Sequence, residues 1–266
     1  MQFFSSRIGF VPTMGALHEG HLSLIRAAQR DCKRVVVSIF VNPTQFEPHE
    51  DFEVYPRDLE GDRALLKEMG VTEVWLPSIR EIYPEGVEQV VRIFPPDSLI
   101  QILCGKDRPH HFSGVATVVK RLFEHVQPTD VYFGQKDYQQ TRVIDWLIQA
   151  YFPSIRLHVE PTVREQNGLA LSSRNSYLSS EERHVAPQLH DSLQKVRSYF
   201  GEGVRRSAVL LDLFRASLSS PLFSSIYAEI RDCEDLTSLE SVNRPAVLAV
   251  AVHLGKTRLI DNVFLE

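Results

Sequence analysis

Gly9-Phe-Val-Pro-Thr-Met-Gly-Ala-Leu-His-Glu-Gly-His21 is the stretch that sets the fold. It reads as a short buried strand, a tight turn and the first turn of a helix. Residues 8–11 are the apolar strand. Pro12 and Thr13 end it, and Gly15 gives the turn its conformational freedom. His18 and His21 stand three apart, so on a helix they lie on one side, one turn apart. Gly20 between them keeps the backbone bare for a close ligand. Leu22, Leu24, Ile25, Ala27 and Ala28 carry the helix into the core at helical period. The first amides of a helix have no internal partners and sit at the positive end of its dipole, so this turn suits an anion, with two imidazoles beside it. Two other readings stay open on spacing alone: a plain strand–turn–helix with two surface histidines, and a zinc pair. The second lacks a third ligand at metal spacing nearby.

The following segment, 33–42, is a near-continuous Val- and Ile-rich run, as expected of a strand covered on both faces. Strand, helix and strand in this span make a βαβ unit, and hence parallel pairing with a right-handed crossover. Asn42-Pro-Thr-Gln-Phe46 leaves at the carboxyl end of that strand, where open α/β sheets bind ligands. Asn42 and Gln45 are therefore candidates to orient a small polar substrate, although Asn-Pro is also ordinary turn chemistry.

Outward from there, 49–56 is acidic, broken by prolines, and reads as a mobile loop or lid. A helix is expected over 57–69 and a strand over 71–76. The segment 81–96 reads as irregular, and 98–104 as a short apolar, helix-compatible piece. Lys106, Arg108, His110 and His111 form a basic loop before a helix over 115–126, either a second anion site or a solvated turn. A strand over 129–133 turns out through Gly134, Gln135, Lys136 and Asp137 into a helix over 138–150. Lys136 can there reach phosphate oxygens, and Gln140 lies one turn further in. A strand over 155–159 completes the first half.

Pro161 marks a shift in composition, and the boundary is placed there: a Rossmann-like nucleotide-binding domain over 1–160 and a smaller α+β domain over 161–266. In the second, Leu171-Ser-Ser-Arg174 is a donor-rich loop or simply a Ser-rich cap. One helix is expected from Ser179 or Ser180 to Phe200 and another over 207–218. Strands follow over 225–231 and 244–254, with a turn at Gly255 into 258–261.

The chain has 266 residues, 43% of them hydrophobic, and a formal net charge of −5, with no basic footprint for nucleic acid. Three widely spaced cysteines argue for a reducing compartment. No apolar run approaches the ~20 residues of a membrane span. Residues 1–7 do not read as a signal peptide, so the expected location is the cytoplasm.

Taken together, His18-Glu-Gly-His21, Asn42-Pro-Thr-Gln45, Arg108-Pro-His-His-Phe112, Gly134-Gln-Lys-Asp137 and Leu171-Ser-Ser-Arg174 resemble, in order and spacing, the pantothenate synthetase family. The resemblance runs from about residue 8 to residue 262. The first motif is similar to the His-x-Gly-His signature of the nucleotidyltransferases, and the last to their mobile phosphate loop. It implies a Rossmann-type domain with a carboxyl-terminal lid, ATP with Mg²⁺, a homodimer, and small-molecule partners only. It also implies the reaction: pantoate and ATP give pantoyl adenylate and pyrophosphate, and β-alanine then displaces AMP to give pantothenate.

Carried over by position, Met14, Gly15, Ala16, Leu17, His18, Glu19, Gly20 and His21 line the ATP site. Gly134, Gln135, Lys136 and Asp137 take its ribose and phosphates, Val163 touches adenine, and Leu171, Ser172, Ser173 and Arg174 clamp the triphosphate. Gln45 and Gln140 hold pantoate, with Asn42 and Arg108 in the same acid-binding set. His21, His18, Lys136 and Arg174 are the catalytic candidates, and no residue is assigned as a metal ligand. Two departures stand out. Only seven residues precede Ile8, where the family usually has about one more helix, and His110 stands where Gly is common.

The chemistry fits these side chains. A carboxylate must approach an α-phosphate that is already negative, so the site has to supply donors and cations. No protein nucleophile is required. Two competing readings are another nucleotidyltransferase that acts on a phosphorylated acceptor, and a nucleotide-binding protein without catalysis.

Overall fold

The computed structural model describes residues 7–48 and 50–266. The expectation for the first residues falls on 1–6, and the start of the acidic loop on His49; both lie outside the described residues.

The chain forms two compact units. The first takes Met1–Pro96, Arg108–Gln135 and Gln140–Pro161, and the second takes Asp97–Asp107, Lys136–Gln139 and Thr162–Glu266.

Strands β1 (Ile8–Thr13), β2 (Arg34–Ile39), β3 (Glu73–Trp75), β4 (Asp130–Gly134) and β5 (Arg156–Glu160) build the first unit's sheet, in the order β3-β2-β1-β4-β5. Every neighbouring pair is parallel. Helices α1 (Glu19–Asp31) and α2 (Leu59–Glu68) and the short turn α3 (Ile79–Ile82) belong to this unit, as do α6 (His111–Val126) and most of α7 (Tyr138–Tyr151). The turns α4 (Asp97–Ile100) and α5 (Cys104–Asp107) belong to the second.

Strand alternation decides which helix covers which face. Val11, Val35, Val37 and Tyr132 point to one side and pack with Leu24, Ile25, Ala27 and Ala28 of α1 and Leu66 of α2. Phe10, Val36, Val131 and Phe133 point to the other and pack with Val118, Val119, Leu122 and Phe123 of α6 and Ile144, Leu147 and Ile148 of α7. With both faces covered, the central strands β1, β2 and β4 are largely buried and apolar, as the Val/Ile runs imply, while the edge strands β3 and β5 are more polar and exposed.

The second unit holds α8 (Ser180–Val185), α9 (Gln188–Gly201), α10 (Ser207–Ser217) and the antiparallel strands β6 (Phe223–Asp232), β7 (Ala246–Leu254) and β8 (Thr257–Leu265). Leu248, Val250 and Val252 of β7 face Leu189, Leu193 and Val196 of α9 and Leu210 and Phe214 of α10. Val247 points the other way, into a cluster with Tyr138, Leu236, Leu99 and Ile102. Gln139 Nε2 donates to Leu99 O and Ile102 O at 2.8 Å, and its Oε1 accepts from Cys104 N at 3.0 Å. These contacts explain why two pieces of the chain's first half cluster with the second unit.

The fold class stands as the sequence implies, but three elements differ from expectation. The helix expected to run unbroken to Phe200 is two, α8 and α9, because Pro187 at the break has no N–H to donate. The last strand is nine residues long, not four, since it pairs along the whole of β7. Helix α6 begins at His111, four residues before Val115, because its polar first turn is bonded to a neighbouring loop.

Asp130 is fully buried at the start of β4. It accepts from Arg7 Nε at 2.9 Å, Thr129 Oγ1 at 2.7 Å and His158 Nε2 at 2.9 Å, and also from Arg7 Nη2. Burial alone would push this carboxyl up; the hydrogen bonds from Arg7, His158 and Thr129 outweigh it and hold it well below the usual carboxylate range. A folded-state value below the unfolded one stabilises the protein above an unfolded value of ~3.9, and the contribution fades as pH falls through and below it. Urea unfolding should therefore show wild-type stability declining below about pH 5, with a flatter profile in Asp130→Asn. At neutral pH that variant is expected to be less stable by about 1–3 kcal/mol.

Candidate active site

In the first unit the turn after β1 is held from below. Gly15 and Ala16 take positive φ values of 84° and 49°. Asp62 of α2, 3% exposed, accepts from Ala16 N at 2.9 Å and Leu17 N at 2.6 Å. Its burial pushes the carboxyl pKa up against those two bonds. A Cβ on Gly15 would stand 3.0 Å from Asp62 Oδ2 and from Ile39 Cγ2, so only glycine fits there without displacing a neighbour. Asp62 escaped the sequence reading. Its signal was position: a carboxylate on the inward stripe of α2 with Leu65, Leu66 and Met69.

His18 is the N-cap of α1 and His21 its third residue. His18 Nδ1 accepts from Gly20 N at 3.1 Å, and His21 Nδ1 accepts from His18 N at 3.3 Å. This is a capping box built from two imidazoles in place of the usual hydroxyl and carboxylate. The rings lie 4.1 Å apart between centroids, tilted by 36°. A ring nitrogen that accepts an N–H carries no proton, so each neutral ring holds its proton on Nε2. The backbone thereby selects the tautomer that carries its proton on Nε2.

The loop after β2 is equally bound. Asn42 Oδ1 accepts from Tyr83 OH at 2.7 Å, Thr44 Oγ1 at 3.0 Å and Thr44 N at 3.2 Å. Its Nδ2 donates to Gln45 Oε1 at 3.2 Å and Gly114 O at 3.3 Å. With 1% exposure, Asn42 bonds protein partners through both ends of its amide, and one of those bonds holds Gln45. Gln45 Nε2 reaches Met14 Sδ at 2.8 Å, joining this loop to the β1 turn.

Helix α6 presses on the same loop. A Cβ on Gly114 would lie 2.2 Å from Thr44 O and 2.8 Å from Gln45 N, so glycine is required for the close approach. His111 Nδ1 bonds Gln45 O at 2.8 Å. Arg108 pairs with both oxygens of Glu50, at 2.5 and 2.7 Å, and its Nη2 lies 3.4 Å from Gln45 O. Arg108, read as part of the acid-binding set, thus already holds a carboxylate of the protein. His110 N donates to Glu47 Oε1 at 2.9 Å, and a φ of −97° at His110 needs no glycine.

The stretch expected as a mobile lid is fastened within itself over its described residues. Phe46 lies 5.3 Å from Phe52 and 5.7 Å from Tyr55 between ring centroids. Arg57 donates to the carbonyls of Phe52, Glu53 and Tyr55. Gly134, Gln135 and Gln140 also belong to the first unit, and a Cβ on Gly134 would meet nothing within 4 Å.

The second unit carries Lys136, Asp137, Val163 and the 171–174 loop. Lys136 sits in a 3-10 turn, its Nζ 3.4 Å from Asp137 Oδ2 and its carbonyl held by Asn262 Nδ2 at 3.0 Å. Leu171 N donates to Val163 O at 3.0 Å, and Ser172 Oγ accepts from Arg174 N at 3.3 Å, capping a 3-10 turn over Ser173–Tyr177.

A family model described as pantoate-beta-alanine ligase matches residues 2–264. The chain is 47% identical over 258 residues to a pantothenate synthetase of Thermosipho africanus, covering 97% of this chain and 92% of the relative. It superposes on a crystal structure of pantothenate synthetase from Thermus thermophilus with a TM-score of 0.93 at 46% identity, covering 97% of this chain and 92% of that one. A pantoate-beta-alanine ligase from Francisella tularensis, described as complexed with beta-gamma ATP and beta-alanine, gives a TM-score of 0.80 at 37% identity over 97% of this chain and 89% of that one.

Proposed function

The chain belongs to the pantoate–β-alanine ligase family, and from that premise we infer how its own side chains divide the work of making pantothenate from pantoate, β-alanine and ATP. A carboxylate oxygen of pantoate attacks the α-phosphorus of ATP and pyrophosphate leaves. The amine of β-alanine then attacks the acyl carbon of the adenylate, AMP leaves, and the nitrogen loses a proton.

The observation that carries this assignment is the histidine capping box. It holds two imidazoles at the amino end of α1, beside the helix amides, a helix end suited to charge on phosphate oxygens. We assign Met14, Gly15, Ala16, Leu17, His18, Glu19, Gly20 and His21 to ATP, with Gly134, Gln135, Lys136, Asp137 and Val163. Leu171, Ser172, Ser173 and Arg174 are the triphosphate clamp. Gln45, Gln140, Asn42 and Arg108 are the pantoate and β-alanine set, with Asn42 and Arg108 also bonded to the Gln45 loop. Positioning of the two reactants is the main source of rate, worth up to ~7–11 kcal/mol in ideal cases.

ATP is proposed to arrive as its magnesium complex, with the metal on the phosphate oxygens, since the donors assigned here are amides, imidazoles, hydroxyls and cations. We further propose a homodimer, supported by the exposed apolar Val91 and Phe94 of the first unit. The domain boundary is proposed after Glu160, with the second domain as a lid. A cytoplasmic setting follows from the ATP requirement; among the described residues no helix is long and apolar enough to cross a membrane.

Incubation with ATP, Mg²⁺, pantoate and β-alanine should release AMP and pantothenate together. Without β-alanine, one pyrophosphate per site should appear and no pantothenate. AMP transfer to a phosphorylated acceptor instead would overturn the assignment.

A further inference from the structure

The 171–174 loop is closed at its base by a residue outside it. Asn175 Nδ2 donates to Ala170 O at 3.1 Å, across the two ends of the loop, and to Glu165 Oε1 at 3.2 Å. Arg183 of α8 reaches the same node: Nη2 donates to Asn175 O at 2.9 Å, and Nη1 lies 3.2 Å from both oxygens of Glu165. Asn175 N in turn donates to Ser172 O at 3.0 Å.

Asn175 is 4% exposed, and among the described residues its Oδ1 is buried without a hydrogen-bond partner. An unpaired buried acceptor is a cost to the fold. A leucine of similar size would remove that cost and forfeit the two donations. The reason for an amide at this position is therefore the pair of donations, which hold the loop's ends together.

We propose that Asn175, supported by Glu165 and Arg183, is the positioning residue of the triphosphate clamp. It touches no substrate; it sets the loop shape from which Ser172, Ser173 and Arg174 present their donors. The proposal rests on the assignment of that loop to ATP.

The test compares Asn175→Leu, Glu165→Gln and Arg183→Ala with wild type. Asn175→Leu should raise the KM for ATP at least ~10-fold and slow single-turnover pyrophosphate release by a similar factor. Its KM for β-alanine should stay within about twofold and its thermal midpoint should change little, because the loss of the orphaned acceptor offsets the loss of the two donations. Glu165→Gln keeps an acceptor for Nδ2 and should stay close to wild type. Arg183→Ala, on a partly exposed side chain, should shift the ATP KM in the same direction by about threefold or more, and remains informative if Asn175→Leu fails to fold. Wild-type ATP parameters in both Asn175→Leu and Arg183→Ala, or an equal loss for ATP and β-alanine, would overturn the proposal. Calorimetry with a non-hydrolysable ATP analogue separates the two levels. If wild type binds the analogue but makes no pantothenate, the functional assignment fails, and the Asn175→Leu affinity still decides the role of Asn175.

Discussion

Replacing His18 with Asn should leave helix α1 capped and slow adenylate formation by at least ~10²-fold. Under the proposed assignment, His18 has two duties carried by different ring nitrogens. Nδ1 accepts from Gly20 N and closes the first turn of the helix, a task an Asn carbonyl performs as well as any side chain. Nε2–H is the donor aimed away from that bond, and Asn has no counterpart at that distance. The expected result is unchanged stability in urea with a severe loss in single-turnover pyrophosphate release. His18→Ala should lose both, with about 1 kcal/mol of stability. Nitrogen NMR of the free enzyme should report the Nε2–H tautomer for both rings. If the His18→Asn enzyme kept the wild-type rate, the imidazole would be a cap and nothing more.

Gly114→Ala should be nearly as damaging, although Gly114 has no side chain to offer a substrate. The added methyl would stand 2.2 Å from Thr44 O, 2.6 Å from Thr44 C and 2.8 Å from Gln45 N. All three are backbone atoms, so no side chain can swing aside. Helix α6 and the Gln45 loop must separate by about 1 Å to restore ordinary contact, a scale at which misplacement can cost ~10²-fold in rate. Strain of this kind typically lowers stability by about 1–3 kcal/mol. The KM for pantoate is expected to rise at least ~10-fold while the KM for ATP moves little. Equal effects on both substrates would show that Gly114 serves the fold at large and not the Gln45 loop.

The parts legible in the sequence are those written in short-range terms. Residues 9–21 announce a strand, a turn and a helix start because each step has its own residue signature. The Val/Ile runs announce a doubly covered parallel sheet. What escaped is whatever depends on distant pairing. Asp62 supports a turn more than 40 positions earlier, Gly114 matters because of Thr44, and Asp130 is held by Arg7 and His158. Asn42 and Arg108 carry the right chemistry for a ligand, and their protein partners, Tyr83, Thr44 and Gln45 for one and Glu50 for the other, were not legible in the sequence. A polar residue in a loop advertises its hydrogen-bonding capacity but not who takes it. Pro187 is the opposite case: its effect on α8 and α9 was local and readable, and the continuous apolar periodicity around it concealed the break.

The path of the backbone between the two units limits how this molecule can be rearranged. It passes from one to the other after Pro96, Asp107, Gln135, Gln139 and Pro161. A chimera joined once at 161 would import a foreign antiparallel sheet while keeping the native Leu99, Ile102 and Tyr138 that must pack beneath its β7. Recombination at that single joint swaps one side of a core without the other, so the halves are inherited as a pair.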